Sequence, residues 1–359
     1  MHIGLIIYGH LDTLTGGWIY DRLMVEYLQA RGHTVEVISL KQRNYVYNLA
    51  DNFSRSFYRR LLNHDCRLLL QDGLIHPSLV GLNQRIKRRR SCPLLTIVHQ
   101  VLCRQPLKRY QQLFYQAVER RYFKSVDGFI FNSDTTRANV ETLVGRQLPA
   151  VVAYPGGDRL GCLASDAVVE ARCRRAGPLQ LILVGNLTLN KGVLPLIAGL
   201  SRLPPESWRL SLIGSLTMDR AYVQKVRALI DRLGLEDRID IPGPLDGEEL
   251  AGRLNASHVF VLPFSYEGFG MACLEAMAWG LPVVGSTRGA LREFVCDGVN
   301  GLLIPPGDMA AFAQQVQRLH ADRTLLAGYG QEALKTFRRR PGWRDGFQKI
   351  ESFLLSFAK

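Results

Sequence analysis

Two carboxylates eight residues apart, Glu267 and Glu275, stand in the stretch SYEGFGMACLEAMAWGLPVV, residues 265–284. Glu267 lies in a glycine-flanked loop. Glu275 lies in an apolar run that reads as a helix, where an unpaired charge is costly. Carboxylates accept paired hydrogen bonds from vicinal hydroxyls, the pattern that sugars and ribose present. HVFVLP before the loop reads as a strand, and LPVVGS after the helix as the next. Gly268 and Gly270 let a ligand approach the backbone. The amides of Phe269, Gly270 and Met271, at the helix start, suit an anion. Read alone, Glu275 is also compatible with a helix-surface glutamate.

A second candidate is LVGNLTLNKGV, Leu183–Val193. A strand runs into a loop with Gly185, Asn186, Lys191 and Gly192, and a helix is expected to start near Lys191. A helix N-terminus beside a lysine suits a phosphate. The order Asn-Lys-Gly is not the GxxxxGK[ST] phosphate loop, and an ordinary turn with a solvated lysine would read the same. His99, ending LLTIVH, is a third candidate; His10 and His76 are weaker ones of the same kind. A lone histidine at a strand end is more often structural.

These residues need a scaffold. HIGLIIYG, TVEVISL, CRLLLQDG, LLTIVHQ, DGFIFNS and AVVAYPGG read as six strands, with helices such as Ile19–Arg31 and Gln111–Ser125 between them. The polar, glycine-bearing segment Pro155–Gly177 interrupts the rhythm and reads as a linker. LQLILVGN, WRLSLIGS, RIDIPGP, HVFVLPFS, LPVVGS and GLLIPPGD then give six more strands. The class is α/β: two doubly wound, Rossmann-like domains, with ligands expected at the carboxyl ends of their strands. From Gly342 on, Trp343, Phe347, Ile350, Phe353 and Leu354 recur at helical spacing.

The 359 residues carry 47% hydrophobic and 21% charged side chains, ordinary for globular protein. No run is long enough for a membrane span, and the opening MHIGLIIYGH has no signal-peptide pattern. The seven cysteines lack CxxC spacing, which fits reduced thiols. The expected compartment is the cytoplasm. The net charge is +13, and residues 1–150 hold 21 Lys and Arg against 11 Asp and Glu, so the basic excess is mostly N-terminal. Its carriers include Arg59 and Arg60, the run Arg85, Lys87, Arg88, Arg89 and Arg90, the pair Lys108 and Arg109, and Arg120, Arg121 and Lys124. Aromatic residues interleave some of these segments, which suits an anionic membrane surface; a solvated helix face is the plain alternative. No nucleic-acid signature is present. No GxGxxG follows the first strand, which argues against a dehydrogenase. No DxD pair follows an apolar strand, so no essential metal is expected.

The Glu-x7-Glu pair in its EGFG…EAMA.G.PVV context resembles family 4 of the retaining GT-B glycosyltransferases. Gly289, Glu293, DGVNGLLIPPGD, VGNLTLNKG, the Gly16-Gly17 pair, RGHTVEVISL, FNSDTTR and VAYPGGD are similar to that family too. The resemblance covers nearly the whole chain and is most specific in its C-terminal half. It implies a GT-B fold: an acceptor domain over 1–160, a nucleotide-sugar donor domain over 161–340, and a helix over 341–359 returning to the first domain. It implies that Lys191 binds the donor diphosphate and that Gly185 and Asn186 line the donor loop. Glu267 with the amides of Gly268, Phe269 and Gly270 would hold the donor sugar and phosphate. Glu275 would take the ribose hydroxyls, and Gly16 and Gly17 would form a loop over the diphosphate. His99 would stand beside the reacting centre. The implied activity is retaining transfer of a sugar from a nucleotide diphosphate sugar to an acceptor hydroxyl; the missing DxD pair makes it metal-independent, and the basic N-terminal part points to a glycan or lipid-linked acceptor at the inner face of a membrane. A different GT-B enzyme, an epimerase or a phosphorylase, is one alternative reading; many members carry arginine where this chain has Asn186, which leaves a non-catalytic subunit as another.

Overall fold

The structure, a computed structural model, describes residues 1–13, 15–161, 164–264 and 266–357. Cys162, Ser265 and Lys359, within stretches read above, lie outside them. The chain divides into two compact units, one of Met1–Pro155 with Trp343–Lys359 and one of Gly156–Gly342. The division thus falls at 155/156 and 342/343 rather than at 160/161 and 340/341.

In the first unit six parallel strands form one sheet: β1 (His2–Tyr8), β2 (Thr34–Leu40), β3 (Leu68–Asp72), β4 (Leu94–Val98), β5 (Gly128–Phe131) and β6 (Ala150–Val152), in spatial order β2-β1-β3-β4-β5-β6. Strands buried on both faces need continuous apolar runs. Ile3, Leu5, Ile6 and Ile7 of β1 and Leu68, Leu69 and Leu70 of β3 are fully buried accordingly. Each such side chain is worth about 1.5–3 kcal/mol in burial. The helix Trp343–Ser356 belongs to this unit. Trp343 and Phe347 pack edge-on to Tyr20, with ring centroids at 5.7 and 5.6 Å. Glu351 of the same helix accepts from His33 Nε2 at 3.0 Å and from Arg31 Nε at 3.3 Å.

The second unit repeats the plan with β7 (Leu179–Val184), β8 (Trp208–Ile213), β9 (Ile239–Gly243), β10 (Val259–Leu262), β11 (Val283–Ser286) and β12 (Gly301–Ile304). Their order is β12-β11-β10-β7-β8-β9, all parallel. The winding reverses between β7 and β10, so the loops leaving these two strands open on the crevice where doubly wound sheets take ligands. Those loops carry Lys191 and Glu267.

The structure sharpens three sequence expectations. The first helix spans Gly16–Ala30, so Gly16 and Gly17 sit in its first turn and not in a loop. A Cβ on Gly17 would lie 3.2 Å from the His99 ring, so the helix start approaches β4 where a larger residue would crowd the imidazole. Pro155–Gly177 holds the crossing between the units at 155/156, but it is not irregular throughout: Ser165 caps the helix Asp166–Cys173 through its side chain, and Val169 and Cys173 are buried. The helix expected near Lys191 is there: it spans Val193–Leu200 and begins after Gly192, with Lys191 ending the short 3-10 turn Leu189–Lys191 before it.

Candidate functional site

The second unit brings Lys191 and Glu267 together. Lys191 Nζ donates to Glu267 Oε2 at 2.7 Å, with both side chains about three-quarters covered. Burial works against the ammonium, but the Glu267 carboxylate outweighs it and holds the Lys191 pKa above its usual value. Gly185 ends the strand leading in, and the Lys191 stem lies 3.2 Å from where its Cβ would be. Gly289 packs closely against the Glu267 backbone. Its φ is +81, and a Cβ there would meet the Glu267 carbonyl oxygen at 2.2 Å. The Ala290 amide donates to that same oxygen at 3.2 Å.

Asn186 accepts through Oδ1 from the Ser215 amide at 3.0 Å, tying the loop after β7 to the loop after β8. A guanidinium has no acceptor and could not make this bond. The residue that departs from the family pattern therefore has a structural task in this chain.

Gly270, at φ +96, precedes the helix Met271–Ala278. Phe269 is buried against Phe294, ring centroids 5.2 Å apart, so its side chain belongs to the core and only its backbone is a candidate ligand. Glu275 points into this unit's interior, 5% exposed. Its partner is Arg159, whose Nε donates to Oε1 at 2.9 Å and whose Nη2 reaches Oε2 at 3.5 Å. Arg159 also pairs with Asp246. Burial raises the Glu275 pKa and Arg159 opposes the rise. Below the sheet end, Asn300 of the DGVNG turn donates to Phe294 O and accepts from the Cys296 amide, bracing the turn from inside.

In the first unit, His99 follows β4, is 9% exposed, and directs Nε2 at Asp21 Oδ1, 2.9 Å away. Burial disfavours its charge, but Asp21 and Asp72 outweigh burial and hold the His99 pKa above the usual value. The ligand atoms of Asp21, Asp72 and His99 lie within 4.8 Å of one another, all buried. Asp72 is pushed up to about 7 by burial and by the Asp21 carboxylate, so the cluster holds a proton near neutrality. His76 is a structural histidine: it bonds the Gly73 carbonyl and the Tyr45 hydroxyl, each at 2.9 Å. His10 is exposed just past β1.

The basic residues divide. Arg85 lies over the Tyr58 ring at 4.3 Å and donates to Asn52 O, Lys87 pairs with Asp127, and Arg90 donates to the carbonyls of Leu61 and Cys66. These three are tied into the unit itself. Arg59, Arg60, Arg88, Arg89, Lys108 and Arg109 are exposed. Large apolar side chains of the same unit are exposed too: Phe53 at 84%, Val46, Tyr47 and, in the helix that Arg109 opens, Tyr110 and Leu113. Tyr45 stacks on Tyr115 at 4.1 Å, which joins the helix Tyr45–Leu49 to the helix Arg109–Phe123.

A half-buried ammonium paired with a carboxylate at the switch point of a doubly wound sheet can exchange that carboxylate for a phosphate. Residues 171–336 match the model of glycosyl transferases group 1, and residues 16–159 match that of glycosyltransferase family 4. The chain belongs to this glycosyltransferase family. It is 32% identical over 227 residues to a D-inositol 3-phosphate glycosyltransferase from Xylanimonas cellulosilytica, a match covering 59% of this chain and 53% of that protein. The chain thus spans about half the length of the curated relatives it matches. Its fold is similar to sucrose-phosphate synthase from Thermosynechococcus elongatus, with TM-score 0.83, 21% identity, and 99% and 98% of the two chains covered. It is similar also to Anabaena HepE in complex with UDP-glucose, with TM-score 0.79, 20% identity, and 99% and 100% covered. The fold is GT-B.

Arg159, Asp246, Asp21 and Asp72 were not among the sequence candidates. Asp21 carried a faint signal, an acid among the inward residues Trp18, Ile19, Tyr20, Met24 and Val25. Arg159 carried none, since its partner lies 116 residues away.

Proposed function

We propose that this family member transfers a sugar, with retention of configuration, from a nucleoside diphosphate sugar to an acceptor hydroxyl. The observation that carries the proposal is the Lys191–Glu267 pair at the β7/β10 switch point. The anomeric C–O bond to the diphosphate breaks, the acceptor oxygen bonds the same face of that carbon, and the acceptor proton passes to the leaving phosphate. Lys191 and the start of the helix Met271–Ala278 stabilise the charge that grows on the diphosphate. Glu267 orients the sugar and Glu275 takes the ribose hydroxyls. His99, held by Asp21, remains the first unit's candidate for the reacting centre. No metal step is assigned, because fixed cations and amides supply the positive charge.

The acceptor is a glycan or lipid-linked molecule reached at an anionic membrane surface on the cytoplasmic side. Support comes from the exposed Lys108 and Arg109 next to the exposed Tyr110 and Leu113 in the same stretch of chain, and from the exposed Phe53 and Tyr47 of the same unit. None of the helices in the described residues is long and apolar enough to cross a membrane.

The test is thermal unfolding with UDP, GDP and ADP, each with and without magnesium. A ligand at 100 times its Kd adds about 2.7 kcal/mol of stability. A shift with one nucleotide, unchanged by magnesium, is expected and selects the donors to assay for transfer. No shift with any nucleotide refutes the donor site and leaves a non-catalytic subunit. Turnover of the nucleotide sugar with no acceptor present would replace the transferase by an epimerase.

A further inference from the structure

The donor-site reading gives Glu275 a ribose to hold, and the structure surrounds it with a group that reading does not use. Glu275 sits between the buried residues Leu274 and Ala276, where a carboxylate tends to take up a proton. A protonated carboxyl loses acceptor capacity just where two vicinal hydroxyls have to donate. The charged groups acting on it are Arg159, which favours the ionised form, and Asp246, which disfavours it. Arg159 meets both carboxylate oxygens, Nε to Oε1 at 2.9 Å and Nη2 to Oε2 at 3.5 Å. Its remaining nitrogen, Nη1, is taken by Asp246, just before the helix Gly247–Ala256. Asp246 makes no side-chain cap on that helix. The arginine is thus clamped at both ends, with its side chain only 13% exposed.

We infer that Arg159 is a positioning residue for the nucleotide: clamped by Asp246, it keeps the Glu275 carboxylate ionised and oriented, leaving its outer lone pairs for the ribose 2′- and 3′-hydroxyls. The inference rests on the donor-site reading above. Each carboxylate oxygen has two acceptor positions, and the arginine occupies one on each. Lysine, a single point charge, reproduces the charge of this fork without its two-point geometry. The inference also gives Asp246 a role: without it the guanidinium could swing away from Glu275.

The test compares affinities for UDP and 2′-deoxy-UDP, with the GDP and ADP pairs in parallel, at pH 6, 7 and 8. The proteins are the full chain and its variants Arg159→Met, Arg159→Lys, Asp246→Asn and Glu275→Gln, each first checked for a cooperative melt. The wild type prefers the ribose form of the nucleotide it binds by about tenfold or more, with little change across these pH values. Glu275→Gln loses that preference at every pH. Arg159→Met narrows it, and narrows it more at pH 6 than at pH 8. The sign follows from removing the cation: the Glu275 pKa, already raised, rises further, and the acceptor is lost as pH falls through it. Arg159→Lys lies between wild type and Arg159→Met. Asp246→Asn narrows the preference and tests the clamp even if Arg159→Met does not fold.

A ribose preference in Arg159→Met equal to wild type at all three pH values overturns the inference while the donor site stands. Tighter UDP binding by Arg159→Met also overturns it, and makes the arginine a plug in the ribose position. If the wild type binds none of the nucleotides, the donor-site reading falls and the inference with it.

Discussion

The Lys191–Glu267 pair makes a prediction whose two halves have opposite sign. At the observed 2.7 Å, the attraction is roughly 6 kcal/mol for an effective dielectric near 20. Desolvation of the two groups offsets most of this, so the net worth of the pair is about 1–2 kcal/mol. An incoming diphosphate has to compete with Glu267 for the ammonium. Lys191→Met removes a charge-assisted contact worth about 1.5–3 kcal/mol, so the Kd for the bare nucleoside diphosphate should rise about 10- to 150-fold. Glu267→Gln frees the lysine, so the same Kd should fall, by about fivefold for each 1 kcal/mol released. Both variants should lose transfer, by about 100-fold or more, because Lys191 no longer meets the leaving group or Glu267 no longer orients the sugar. Calorimetric titration gives the affinities, and nucleotide release from the nucleotide sugar gives the turnover. If both substitutions move the affinity in the same direction, Lys191 and Glu267 do not compete as argued. A Kd within twofold of wild type for Lys191→Met removes the lysine from the diphosphate altogether.

Two further outcomes are expected. Asp72 is held above its usual range, at about 7, by burial and by Asp21. Between pH 4 and 7 the folded first unit therefore keeps a proton that the unfolded chain has released, and stability falls as pH rises through that window. Asp72→Asn, which keeps an acceptor for the Leu74 amide, should match wild type near pH 4 and melt a few degrees higher at pH 8; a lower melt at pH 8 refutes the protonated carboxyl. At membranes, the protein should co-sediment with anionic but not neutral vesicles, less so in high salt. Phe53→Ser with Tyr110→Ser should weaken this further, and equal binding to both vesicle types defeats the electrostatic account.

The twelve strands were legible in the sequence because strands of a parallel sheet, buried on both faces, leave uninterrupted apolar runs such as LLTIV and VFVL. The carboxylate pair and Lys191 were legible because glycines mark where backbone and ligand approach closely. The start of the first helix was not: Gly16 and Gly17 are poor helix formers, and the space beside His99 explains Gly17. The helix Asp166–Cys173 was hidden in a polar segment, though Ser165 is a proper cap for it. What Glu275 holds was least legible. Spacing located the buried acid, while its arginine comes from a loop that nothing local connects to it.

The first unit is written in two pieces. Residues 1–155 supply its sheet, but Trp343, Phe347, Ile350 and Leu354, buried against it, arrive only after the whole of 156–342. Newly made, the N-terminal piece must therefore wait on the ribosome with part of its apolar surface bare. The contiguous 156–342 segment can fold as soon as it has emerged. The unit that starts first is accordingly completed after the second, and shortening the helix Trp343–Ser356 would damage the unit built on residues 1–155.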